Sequence, residues 1–202
     1  IYIPDPLGEC LPVARDKCTS CGLCLNSCPG ASVEFAPLEE KYIGEVLVET
    51  EFLGRVKSVY LAHAVDEGVR AGGASGGVVT AILINLLRKG EIDGAIVFGP
   101  LSGDNWVSEG RVARNEKEFI LSSQSRYYLS PMNTILSSVG GSSETLAYVG
   151  LPCHVHGLRK AQQSKWNTSV KLSPVIGIYC GNNLYFEATR AILKKLGVKS
   201  ME

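Results

Sequence analysis

Four of the chain's seven cysteines fall in one short stretch, Asp16-Lys-Cys18-Thr-Ser-Cys21-Gly-Leu-Cys24-Leu-Asn-Ser-Cys28-Pro29-Gly30. The spacing is C-x2-C-x2-C-x3-C-P, a run whose thiolates hold iron–sulfur clusters. Three thiolates two residues apart wrap a loop around three corners of a cube. The backbone N–H groups between them turn toward the sulfides and offset the negative charge. Gly22 lets the loop pass close to sulfur without a Cβ, and Pro29 turns the chain away. Structural zinc sites use two separated Cys/His pairs, and disulfide frameworks belong to secreted chains. The compact run and its Cys-Pro ending therefore favour a 4Fe-4S cluster. Cys18, Cys21 and Cys24 supply three ligands. The fourth is Cys28, Cys10 or a cysteine outside this chain, with Cys28 the first choice because it is local.

The rest of the composition is ordinary: 202 residues, 45% hydrophobic, 20% charged and a formal net charge of zero. That predicts one large core with a small appendage. No basic stretch supplies a phosphate-binding field, which argues against nucleic acid. The longest apolar stretch, Val78 to Leu87, is broken by Thr80 and Asn85. It falls short of the ~20 residues a bilayer span requires, so any membrane association is expected to be peripheral, through a partner. No signal peptide is visible. Cysteine usage predicts a reducing, oxygen-poor cytoplasm. No internal repeat or low-complexity tract is present.

Ile1 to Ala14, with Pro4, Pro6, Gly8 and Pro12, reads as an extended lead-in. Ala31 to Tyr60 reads as a connector with one or two short strands, and Lys57 to Ala64 as a buried strand in which His63 is a core or edge residue. Glu91 to Pro100 is a near-continuous apolar strand of the doubly covered kind. Leu101 to Gly110 reads as a polar loop, Arg111 to Ala113 as a strand, Asn115 to Leu121 as a helix start, and Met132 to Val139 as helical. Leu146 to Leu151 and Val175 to Cys180 are further strands, and the last helix runs from about Tyr185 to Leu196. Helices alternating with such strands predict an α/β layer.

The second informative stretch is Arg70-Ala-Gly72-Gly73-Ala-Ser75-Gly76-Gly77, which runs straight into an apolar helix. Ser75 is placed to cap that helix. Its first N–H groups and positive dipole end suit an anionic group, and glycines allow close approach. A nucleotide phosphate is the natural ligand. The competing reading is a tight turn before a core helix, since the pattern is neither a P-loop nor a dinucleotide fingerprint. Gly90 stops the helix.

Two predicted strands lead into cysteines, in Pro152-Cys153-His154-Val-His156-Gly157 and Tyr179-Cys180-Gly181. Ligands sit at the carboxyl ends of strands in open α/β sheets. Thiols there bind metal, attack a substrate or face a flavin, or else are small buried hydrophobes. Adjacent residues on a strand face opposite sides, so Cys153 and His154 are expected to share no site, and a structural His154 is expected.

Taken together, these motifs resemble the beta-subunit family of hydrogenases and dehydrogenases that use coenzyme F420, the deazaflavin hydride carrier. The matching pieces are the Cys18–Pro29 run, Gly72–Gly77 with its helix, Gly90-Glu-Ile-Asp-Gly-Ala-Ile-Val97 and Ser125-Arg126-Tyr-Tyr128-Leu-Ser130-Pro131. Gly150-Leu-Pro-Cys-His-Val-His-Gly-Leu-Arg-Lys160, Ile176-Gly-Ile-Tyr-Cys180 and Leu193-Lys-Lys-Leu-Gly-Val198 also match. The resemblance implies a flavoprotein. FAD would lie against Gly72, Gly73, Ser75, Gly76 and Gly77, with Ser125, Arg126 and Tyr128 as weaker flavin or substrate contacts. It also implies that Cys153 and Cys180 join a Cys-x-x-Cys pair, absent here, around a second cluster. The chain is then expected to be incomplete at its C-terminus. His154 departs from the glutamine expected in close relatives.

The fold expected is α/β (α+β), with a small ferredoxin-like iron–sulfur segment and connector over 1–56 and a mixed-sheet FAD/F420 domain over 57–202. The function expected is an F420-dependent oxidoreductase working with other redox subunits or a ferredoxin. Two other readings stand beside it. One is a non-catalytic electron-transfer or docking subunit. The other keeps the flavin and cluster chemistry but acts on a tetrapyrrole or a partner reductase.

Overall fold

The structure, a computed structural model, describes residues 2–4, 10–12, 18–44, 48–50, 54–101, 104–127, 129, 131–164 and 169–198. The lead-in is a small antiparallel pair, β1 (Tyr2–Pro4) and β2 (Cys10–Pro12). The cysteine stretch contains a one-turn helix, α1 (Leu23–Ser27), followed by α2 (Phe35–Tyr42). A second antiparallel pair, β3 (Val48–Thr50) and β4 (Gly54–Val56), completes the segment. The connector thus holds a helix that its scattered apolar residues did not announce. Lys57 to Ala64 is not a strand. It is irregular and exposed, with Tyr60 84% and Leu61 105% accessible, and only Ala64 is buried. Among the described residues its apolar run has no neighbouring strand to pair with.

The larger part is built on a four-stranded mixed sheet of order β6-β5-β7-β8. Its elements in chain order are α3 (Glu67–Gly72), α4 (Val78–Arg88), β5 (Gly94–Leu101), β6 (Asp104–Ala113) and α5 (Glu116–Leu121). A 3-10 turn (Met132–Ile135), α6 (Leu136–Val139), β7 (Thr145–Gly150), α7 (Pro152–Gln163), β8 (Lys171–Gly177) and α8 (Phe186–Lys195) follow. β5, β7 and β8 are parallel, and β6 pairs antiparallel with β5. Leu101 to Gly110 is therefore mostly strand rather than loop. As an edge strand β6 has one sheet neighbour, so it does not require the continuous apolar run of a central strand. β8 is the other edge, which is where Pro174 is tolerated.

Strand geometry explains why β5 and β7 read as unbroken apolar runs. Successive side chains alternate faces, and here both faces are covered. Ala95, Val97, Ala147 and Val149 pack with Leu83 and Ile84 of α4 and Phe119 of α5. Ile96, Leu146 and Tyr148 pack on the other face with Met132, Leu136 and Leu158. Asn115 caps α5 by accepting from the Glu118 N–H at 3.0 Å. Arg88, in the last turn of α4, forms a two-pronged pair with Glu116 at 2.7 and 2.6 Å, joining α4 to α5.

Tyr148 is completely buried and its hydroxyl donates to Asn133 Oδ1. Burial is the main reason its phenol is held well above the ordinary range. Asn133 Nδ2 donates to the His154 carbonyl at 3.0 Å, so one amide ties β7 to the start of α7. Tyr148→Phe removes the donor to Asn133 Oδ1 and is expected to lower stability by about 1–3 kcal/mol in urea unfolding. An unchanged midpoint would mean that water replaces the hydroxyl.

Among the described residues no helix is long and apolar enough to cross a membrane.

Candidate functional site

A cavity of about 470 Å³ opens beyond the carboxyl ends of β5, β7 and β8. This is where open α/β sheets place ligands, and the size lies in the roughly 300–1,000 Å³ range of small-molecule sites. Four stretches distant in sequence meet there. Gly73–Ser75, Gly77 and the first turn of α4 form one wall, and Ser122–Tyr127 form a second. Val149–Leu151 with His154 form a third, and Ile178–Asn183 the fourth. Val79, Leu83, Phe98, Phe119 and Met132 supply an apolar floor.

The glycine turn works differently from the sequence expectation. Ser75 does not cap α4. The N-cap is Gly77, at φ 71°, and no side chain caps the helix. Gly76 and Gly77 both have positive φ, which moves the helix start past Ser75. The N–H groups of Val78 to Thr80 precede the first intrahelical bond, Ala81 N–H to Gly77 O at 3.0 Å, and Val78 to Thr80 line the cavity. A Cβ on Gly77 would run into the Val69 carbonyl, and one on Gly73 would lie 2.7 Å from the Gly77 backbone. These glycines are required by the turn's own packing. Gly76 lies outside the cavity wall, with its carbonyl accepting from the Ala64 N–H at 2.8 Å. Gly72, at the end of α3, also lies outside the wall and has open space where a Cβ would sit.

Ser125 and Arg126 line the cavity. Arg126 also closes the C-terminus of α5, its guanidinium donating to the carbonyls of Ser123 at 2.9 Å and Leu121 at 3.2 Å. Tyr128 lies outside the described residues. Ser122 was not singled out from the sequence. Its buried hydroxyl has no hydrogen-bond partner among the described residues and sits in the cavity wall. Positive helix-end N–H groups, an unpartnered hydroxyl and an apolar floor fit a flat apolar ring carrying an anionic tail.

Cys153 is not at the end of a strand. β7 stops at Gly150, Pro152 opens α7, and Cys153 is in that helix's first turn. Proline in the first turn is a helix-start signal. The opposite-faces argument therefore lapses. Instead, His154 lines the cavity, with its Nδ1 accepting from the Leu151 N–H at 3.3 Å, while Cys153 does not line it. Cys180 does line it, three residues past the end of β8. Gly150 and Gly177 are register partners, and Ile178 N–H donates to Gly150 O at 2.9 Å. The two thiols thus follow paired strand ends. Burial pushes the Cys153 thiol up, and Cys180 pushes it the same way.

The four thiols of the cysteine stretch are all exposed, and among the described residues no three Cys, His, Asp or Glu side chains converge. The loop's backbone nevertheless suits soft-metal ligation. Gly22 takes the left-handed conformation at φ 74°. The Leu23 N–H, followed by the Thr19 hydroxyl, lowers the Cys21 thiol by hydrogen bonding to its sulfur. The donor set is four thiols in one loop, with backbone N–H turned to sulfur at Cys21, and it fits an iron–sulfur cluster.

This loop is fastened to α7, the helix whose first turn borders the cavity. Lys160 Nζ donates to the Cys28 carbonyl at 2.9 Å and to the Ser32 carbonyl. Arg159 stacks on Tyr42 at 3.9 Å, and Phe35 meets His156 edge-on at 5.2 Å. A Cβ on Gly157 would lie 3.6 Å from Pro29.

Comparison with known proteins places this architecture. Residues 59–137 match the family described as coenzyme F420 hydrogenase/dehydrogenase, beta subunit N-term, and residues 143–202 match the corresponding C terminus. The chain is 29% identical to a coenzyme F420-dependent sulfite reductase of Methanocaldococcus jannaschii over 96% of its own length and 30% of the relative's. It is 31% identical to a coenzyme F420 hydrogenase subunit beta of Methanothermobacter thermautotrophicus over 72% of this chain and 54% of that one. It therefore spans between about a third and just over half of these relatives. In fold it is similar to a chain in the structure titled xenon derivatization of the F420-reducing [NiFe] hydrogenase complex from Methanosarcina barkeri. The TM-score is 0.65 at 23% identity, over 77% of this chain and 55% of that one. The chain belongs to the coenzyme F420 hydrogenase/dehydrogenase beta-subunit family.

Proposed function

We propose that this chain is the iron–sulfur flavoprotein part of an F420-dependent oxidoreductase of beta-subunit type. In this reading it passes hydride between coenzyme F420 and FAD, and single electrons to or from 4Fe-4S clusters and a redox partner. Flavin is the cofactor class able to join a two-electron carrier to one-electron carriers. The observation that carries the reading is α7, which borders the cavity at one end and holds the cysteine loop along its side.

The chain's residues have the following roles in this reading. The first-turn N–H groups of α4, positioned by Gly73 and Gly77, receive the FAD phosphates. Ser122, Ser125 and Arg126 border the flavin, with Arg126 also holding their segment in shape. The apolar floor excludes water from the ring. Cys18, Cys21, Cys24 and Cys28 ligate the first cluster, and Cys153 and Cys180, which follow the paired ends of β7 and β8, contribute to a second. The division at residue 56 between a ferredoxin-like cluster segment and a flavin domain belongs to the same reading. The family match beginning at residue 59 supports it.

The test is an anaerobic titration of FAD-reconstituted protein with reduced coenzyme F420, following the flavin band, with NADH as control. Bleaching by the deazaflavin alone is expected. No bleaching in protein shown to retain FAD would move the reading to another substrate. Failure to retain FAD would favour a pure electron relay.

A further inference from the structure

Lys160, on α7, bonds directly to the backbone at the Cys28 end of the cysteine stretch. Its ammonium donates to the Cys28 carbonyl at 2.9 Å and to the Ser32 carbonyl, across more than a hundred residues of sequence. Those carbonyls flank the turn in which the Ala31 N–H also reaches the Cys28 carbonyl, at 3.3 Å. The neighbouring cation is committed elsewhere: Arg159 lies over the Tyr42 ring and donates to Gln162 at 2.9 Å. Glu34 borders the same cleft as Lys160, yet none of the ion pairs among the described residues includes Lys160. A compact ammonium with three donors suits two carbonyls, and its charge is not cancelled by a carboxylate in contact.

We propose that Lys160 is a positioning residue for the iron–sulfur loop. It pins the Cys28 end of the loop to α7 and sets one fixed positive charge beside the cluster, raising the cluster's reduction potential. This rests on the cluster assignment proposed above. Reduction adds one electron to a centre already carrying four thiolates, so a nearby cation favours the reduced form by Coulomb attraction. The electron comes from the flavin of the proposed reaction, and no bond is made or broken.

The test is a redox titration of the anaerobically reconstituted full chain, followed by the cluster's paramagnetic signal, with iron and sulfide counted for each protein. Lys160→Met is expected to lower the potential enough to make cluster reduction about tenfold less favourable, which is ~59 mV for a one-electron couple. Lys160→Gln keeps a donor without the charge and is expected to fall with it. Lys160→Arg keeps the charge and is expected to stay near the parent protein. If the methionine variant cannot hold a cluster, the comparison of Gln with Arg carries the result. A cluster that assembles with the same potential in the Gln and Arg variants overturns the proposal and leaves the cluster assignment standing. A parent chain that binds no iron and sulfide overturns both.

Discussion

Gly77→Ala is expected to destabilise the protein by about 3 kcal/mol and to abolish FAD retention. Gly77 sits at φ 71°, a conformation that costs an L-residue roughly 1–2 kcal/mol. The new methyl would also overlap the Val69 carbonyl and lie 3.2 Å from Arg70 Cα, both backbone atoms that cannot swing aside. Such overpacking typically adds about 1–3 kcal/mol. Relieving it pushes α3 away from α4, so the N–H groups of Val78 to Thr80 leave the cavity wall. In a chain of this size the loss corresponds to roughly 6–12 °C in thermal midpoint. The control is Gly72→Ala, five residues earlier, where a Cβ meets nothing within 4 Å. Alanine in that helical position is expected to be neutral or stabilising by up to about 1 kcal/mol. Equal stability of the two variants would show that the turn does not have this geometry.

Cys21→Ala is expected to remove the cluster's broad visible absorbance while leaving flavin bleaching by reduced coenzyme F420 intact. Cys21 is exposed and contributes nothing to either core cluster, so the fold should survive its loss. A run that supplies three closely spaced thiolates cannot be filled from elsewhere in the loop once the middle one is gone. The cavity, by contrast, is lined without any residue of that loop. In the proposed reading, hydride entry and electron exit are therefore separable by one substitution. Loss of bleaching in a folded variant that still binds FAD would reverse the proposed order of electron flow.

The sheet was legible where both of its faces are buried. Gly94 to Pro100 and Leu146 to Gly150 had to be apolar at every position, and they announced themselves. β6 was hidden because it is an edge. The Val59-Tyr60-Leu61 run misled for the opposite reason: apolar residues promise a strand only when a neighbouring strand is there to receive them, and here they are exposed. The site was legible in its pieces and not in its assembly. Gly73, Ser75, Gly77, Ser125, Arg126 and Cys180 do meet in one cavity, but the sequence could not separate them from Gly72 and Gly76, which lie outside its wall. What divides them is backbone conformation and a few ångströms of clearance. Ser122 was not picked out of its hydroxyl-rich stretch because sequence does not show which of several serines has a buried hydroxyl with no partner among the described residues. The strand assigned to Cys153 and His154 was a boundary error, because Pro152 marks the start of a helix, yet His154 does take a structural role there, accepting from the Leu151 N–H at the head of α7.

α7 has a mechanical consequence. It is a 12-residue rod, about 18 Å long, at 1.5 Å per residue. One end abuts the chamber at the strand tips and its flank grips the thiol loop. When the protein breathes, a tilt or slide of the rod carries both attachments with it. In the proposed reading, the distance between flavin and cluster is then set by one helix rather than by the loops on either side of it.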